Sequence, residues 1–129
     1  MREQLRSFQA ADPFGRTWDV EFRWLQNAIS IRHADAVDLK YYISNGEERR
    51  ELVVALPHPA LRRLSESLGR QLTDPWCMRL GALHVRSMIS TWTDMDKTIA
   101  DASAADLERH NADLEASDAG SRELAARTR

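Results

Sequence analysis

Between Thr17 and Leu56 apolar and polar side chains alternate in runs separated by a few turn-forming residues, and no other feature restricts the fold as strongly. In the first run Trp18, Val20, Phe22 and Trp24 share one face, while Asp19, Glu21 and Arg23 take the other. That is the two-residue period of a half-buried strand. Leu25-Gln26-Asn27 reads as a short connection into a second strand, Ala28 to His33, and Ala34-Asp35 as a turn into a third. In that third strand Val37, Leu39, Tyr41 and Ile43 alternate with Asp38, Lys40 and Tyr42. Asn45-Gly46 supplies residues that accept positive φ for a hairpin into a fourth strand, Leu52 to Leu56. This last strand is apolar on both faces through Val53 and Ala55, so part of the otherwise polar side is expected to be covered. Every connection is shorter than the dozen or so residues a parallel crossover needs, which leaves an antiparallel meander.

Helices follow. Pro57-His58-Pro59 stops the last strand, and Pro59 suits the first turn of a helix that carries Leu61, Leu64 and Leu68 on one stripe and ends at Gly69. Thr73-Asp74-Pro75 is a second helix start. Beyond it the only glycine before Gly120 is Gly81, so this helix is expected to reach at least Trp92. Plotted at about 100° per residue, Trp76, Leu80 and Leu83 cluster together. Cys77, Met78, Ala82, Val85, Met88, Ile89, Trp92 and Ile99 fill the adjoining arc, and Arg79, Arg86, Ser90, Thr93 and Lys97 form a narrow polar wedge. A helix apolar over so much of its circumference must be buried on more than one side. The predicted fold class is α+β: a four-stranded antiparallel meander packed on one face by a short helix and a long C-terminal helix. Residues 1–16 read as an N-terminal extension, 17–102 as a single domain, and 103–129 as an acidic, Ala-rich helical or disordered tail.

Composition limits the function. The 129 residues carry 18 Lys and Arg against 20 Asp and Glu. Residues 1–90 hold 13 basic and 11 acidic groups, and residues 91–129 hold 5 and 9, so neither half has the basic footprint of a nucleic-acid binder. No stretch approaches a membrane span, and Arg2, Glu3, Arg6 and Asp12 interrupt the start where a signal peptide would be apolar. The expected location is the cytoplasm. A single cysteine, Cys77, rules out an intrachain disulfide and a thiolate zinc cluster.

The chain lacks a Gly-rich phosphate loop, a Gly-x-Ser-x-Gly elbow and a His-Glu-x-x-His pair, and nothing in it calls for a cofactor or a metal. His33, His58, His84 and His110 stand about 25 residues apart, which is not a local ligand spacing. Cys77 and His84 are two helical turns, about 10 Å, apart, too far for a thiolate–imidazole pair. A small anion, weakly bound, is expected at the start of the first helix. There His58 is a poor cap and Arg62 and Arg63 precede any acid, so unpaired N–H groups and two cations converge. Trp18, Phe22, Trp24 and Tyr41 could stack bases, but they share their face with Val20, Leu39 and Ile43 and are expected to form the core.

Two leucines of the repeated Ala-Asp-Leu-Glu motif, Leu107 and Leu114, are too few to cover the second helix. Its surplus apolar surface, represented by Val85, Met88, Ile89 and Trp92, is therefore expected to be an oligomer interface, with a two-fold axis pairing it with another copy. The sequence thus reads as a non-catalytic homo-oligomeric binding or structural protein whose partner is itself, most simply as a homodimer, with no membrane partner. The alternatives are a small enzyme or ligand carrier using a pocket between sheet and helices, and a single-stranded nucleic-acid binder.

Overall fold

Antiparallel pairing with short turns builds one sheet, as the alternation predicts. The computed structural model describes residues 6–29 and 35–127, with side chains described over 6–26 and 36–119. In chain order the elements are β1 (Ser7–Ala11), β2 (Thr17–Ile29), β3 (Asp35–Ser44), β4 (Arg49–Pro57), α1 (His58–Leu68), α2 (Asp74–Thr91), β5 (Ile99–Asp101) and α3 (Ala104–Arg127). The strands lie side by side in sequence order, the first four antiparallel and β5 parallel to β4.

Strand count and boundaries differ from the sequence reading in ways that have physical causes. Residues 7–11, assigned to an extension, pair with β2 through Phe8 opposite Val20 and Ala10 opposite Trp18. The two strands expected over 17–33 are one: Leu25-Gln26-Asn27 continues β2 instead of turning, and Ile29 is its last residue. Residues 30–33 of the expected second strand and Ala34 lie outside the described residues. A bulge interrupts the register of β2 without ending it. Phe22 faces Tyr41 and Trp24 faces Lys40, so Arg23 is the extra residue and the alternation changes face there.

Below the sheet, Trp18, Val20, Leu39, Tyr41, Ile43, Leu52, Val54 and Leu56 join Leu61, Trp76, Leu80, Val85, Met88, Ile89 and Leu107 in one core. All three helices therefore pack on this side. Helix α1 ends at Gly69 in the left-handed region, φ 65°. Helix α2 begins at Thr73, whose hydroxyl accepts from the Trp76 N–H at 3.3 Å. It stops at Trp92, also left-handed at φ 57°, with the Trp92 and Thr93 N–H groups closing on Ile89 and Met88 carbonyls. Helix α2 thus reaches its expected end at Trp92; Ile99, plotted on its arc from sequence, belongs instead to β5, and α3 forms in the segment read as a helical or disordered tail.

Helix α3 lies against α1 and α2. Among its described side chains the buried ones are Leu107, His110, Asn111 and Leu114, spaced as one helical stripe. The expected interface is consequently interior. Val85, Met88 and Ile89 are buried inside a single copy, and Trp92 packs on Phe14 and Trp18. Val85, Met88 and Ile89 are not surface available to a partner, because the sheet and α3 take up the apolar circumference that called for one; Trp92 is half-buried.

Candidate binding site

Function has to be sought where the fold leaves chemistry exposed, and its largest uncovered element is the other face of the sheet. Pairing register resolves that face into cross-strand rows. One runs Asp19, Ser44, Arg49; the next Glu21, Tyr42, Glu51; the next Trp24, Lys40, Val53, Ile99; the last Gln26, Asp38, Ala55, Asp101. The bulge at Arg23 delivers Trp24 to this face, opposite to the expectation, and leaves its side chain 39% exposed. Ile99, at the far end of the same row, is equally exposed at 39%. Val53 is half-buried between them and Ala55 is buried, which accounts for a fourth strand that is apolar on both faces.

Cations lie over the rings. Lys40 Nζ is 5.9 Å from the Trp24 centroid and 5.7 Å from that of Tyr42, while Arg23 and Arg49 approach Tyr42 to 4.9 Å and 4.5 Å. Two of these cations are also ion-paired, Arg23 with Glu21 at 3.2 Å and Lys40 with Glu51 at 2.9 Å.

A groove of about 590 Å³ opens at the β1 end of this face, lined by Arg6, Ser7, Asp19, Glu21, Tyr42, Ser44 and Arg49 together with Val20 and Phe22. Its acids are engaged: Asp19 accepts from the Gln9 amide at 2.8 Å and Glu21 binds Arg23. Its outward-facing guanidinium, Arg49, is not neutralised in this way: it lies over Tyr42, and among the described residues no carboxylate stands in ion-pair range of it. Arg6, in register with Phe22, borders the groove at the strand edge and lays its guanidinium over the Phe22 ring, 5.6 Å away, on the helix-bearing side. Arg49 escapes sequence reasoning because the groove beside it is completed by Ser7, in the segment set aside as an extension, and so depends on β1 pairing with β2.

The anion site expected from sequence is only partly assembled. Pro57, not His58, caps α1; no side chain caps it, and its first turn holds no acid. Arg62 and Arg63 are exposed, whereas His58 is half-buried and engaged in an interaction of its own.

The groups most perturbed by their surroundings lie within the fold, away from the groove. Burial, with Asp74 adding repulsion, pushes the Cys77 thiol up to about 12. Burial alone raises the Tyr41 phenol. Asp12 is desolvated, which favours its neutral form, yet it accepts hydrogen bonds from the Trp18 indole, the Arg16 backbone and guanidinium, and the Phe14 N–H. Those donors hold its carboxyl well below the usual range and fix the loop between β1 and β2.

Among the described residues, no cluster of three or more His, Cys, Asp or Glu side chains is arranged to hold a metal ion. No described helix is long and apolar enough to cross a membrane. No protein-family model, curated protein or solved structure matches the chain.

Proposed function

We propose that this chain is a non-catalytic binding protein whose ligand presents a carboxylate or phosphate to the groove between β1 and β3. The observation that carries this reading is the Arg49 guanidinium, which lines the groove over the Tyr42 ring without a carboxylate partner among the described residues. A guanidinium held in this way can offer parallel N–H donors to a planar anion, and the Ser7 and Ser44 hydroxyls add donors nearby. The Tyr42 ring suits an aromatic body on the same ligand. One charge-assisted contact of about 1.5 kcal/mol and one stacked ring of about 1 kcal/mol place the affinity at roughly ten millimolar. A nucleic-acid strand fits poorly, since Asp19, Glu21, Glu51, Asp38 and Asp101 are spread across the same face.

Titrating phenyl phosphate while following backbone amide resonances tests the reading. Shifts at Ser7, Ser44 and Arg49 are expected, weakened about tenfold by Arg49→Ala, the loss of one charge-assisted contact. Shifts at Ala60 to Arg63 instead would transfer binding to the start of α1, and silence at both places would remove the proposal.

A second reading has its own observation. The row Trp24, Lys40, Val53, Ile99 is apolar except for one central cation, and the adjacent row carries Asp38 and Asp101. A two-fold axis lying between the two rows and parallel to them sets Lys40 of one copy over Asp38 of the other. Self-association on this reading uses the outer row and not α2.

A further inference from the structure

The seam between α2 and α3 contains two histidines that the binding reading does not use. Of the four residues α3 buries there, Leu107 and Leu114 are apolar, and His110 and Asn111 reach across to α2. Asn111 Oδ1 accepts from the Trp76 indole N–H at 3.0 Å. His110 Nε2 lies 3.1 Å from His84 Nδ1, with the two rings at 75°. Farther along, Arg79 binds Asp118 at 2.7 Å. Of the helices and strands, only α1 and α2 come close to the backbone of α3, so its place depends largely on this seam and on α1.

We propose that the His84–His110 pair is an acid-operated latch: taking up protons, it releases α3 from α2 while the sheet stays folded.

Both imidazoles are buried, and a neutral pair needs one proton between the facing nitrogens. The first extra proton must go to a distal nitrogen, His84 Nε2 or His110 Nδ1, and of these His84 Nε2 is buried with no hydrogen-bond partner among the described residues. A second extra proton sets two N–H groups against each other across 3.1 Å. The charged surroundings do not rescue the cation. Asp106 and Asp113 on α3 and Asp94 beyond α2 favour it, whereas Arg109 opposes it. Asp106 is moreover already committed to the Ser103 N–H and to Arg109. Helix α1 buries Ala60, Leu61 and Ser65, none of them ionisable, and the sheet contributes the neutral Tyr41 phenol close to Gly81.

Burial first, then the mutual repulsion of the pair, pushes His110 down to about 4, and burial likewise lowers His84. The released state, with ordinary imidazoles, binds protons that the docked state refuses. Docking is therefore at full strength above about pH 6.5 and is lost as pH falls from there toward 4.

Hydrogen exchange of the full chain at pH 7 and pH 4.5, expressed as protection factors, tests the latch. Protection of α3 amides is expected to fall about tenfold or more while β2, β3 and β4 hold theirs. The double variant His84→Gln/His110→Gln, which keeps hydrogen-bonding groups and cannot titrate, is expected to lose this pH dependence. Equal losses in α3 and the sheet, or the same loss in the double variant, would overturn the proposal. Imidazole titration of the unaltered chain is an independent test: either ring protonating near pH 6.5 with α3 still protected refutes it.

Discussion

Arg23 is the residue on which the face assignment turns. An unbroken alternation from Trp18 to Trp24 places all four aromatic and aliphatic residues in the core, but one extra residue in the strand reverses everything after it. Trp18, before the bulge, is fully buried and receives its hydrogen-bond partner from Asp12; Trp24, after it, is exposed beside Lys40. Trp18→Ala is expected to cost about 3–5 kcal/mol in chemical denaturation, as core truncations of large aromatics do. Trp24→Asp is expected to cost about 1 kcal/mol or less, as surface changes do. Similar losses at both positions would place Trp24 back in the core. A bulge has no sequence mark of its own here: Arg23 is as ordinary at a polar strand position as in a bulge. The period was therefore legible, and the shift of face was not.

The helices show which element-level signals survive translation into structure. Thr73-Asp74-Pro75 and Gly69 act through local chemistry, a side-chain acceptor and a permissive φ, and both ends lie where that chemistry puts them. Trp92 has no such signature. A tryptophan ends α2 in the left-handed region while its ring packs against Phe14 and Trp18, contacts made by distant segments. Helix α3 is hard to read from sequence for a different reason: its stripe is Leu107, His110, Asn111, Leu114, and counting leucines overlooks two polar residues whose partners, His84 and Trp76, lie on another helix. Buried polar pairs of this kind fix one alignment of the helices, since any other leaves the groups unsatisfied. Ending the chain at Ala102 removes that cover from Trp76 and His84. The shortened protein is expected to keep the sheet folded but to melt at a lower temperature and to bind a hydrophobic dye at the uncovered seam, measured by calorimetry and dye fluorescence. Unchanged calorimetry would mean that α3 contributes nothing to the fold.

At the scale of the whole molecule, one side of a five-stranded sheet carries three helices and the other carries none among the described residues. A dimer through α2 needs apolar surface without a partner, and that surface is enclosed by the chain itself. On the second reading proposed above, self-association falls to the outer row, where Trp24 and Ile99 stand exposed at opposite ends. Two substitutions separate the surfaces. Val85→Asp introduces a charge into the core and is expected to unfold the chain whatever its oligomeric state. Trp24→Asp adds repulsion to the outer row beside Asp38 and leaves the core untouched. Light scattering at micromolar concentration is expected to give about 30 kDa for the unaltered chain, twice its 14.8 kDa, and the single-chain mass for Trp24→Asp with unchanged circular dichroism. A dimer that survives Trp24→Asp would exclude the outer row as the contact, and an unaltered chain of single-chain mass would remove the second-copy reading altogether. The Arg49 groove, at the β1 end of the face, would then stand as its only proposed binding surface.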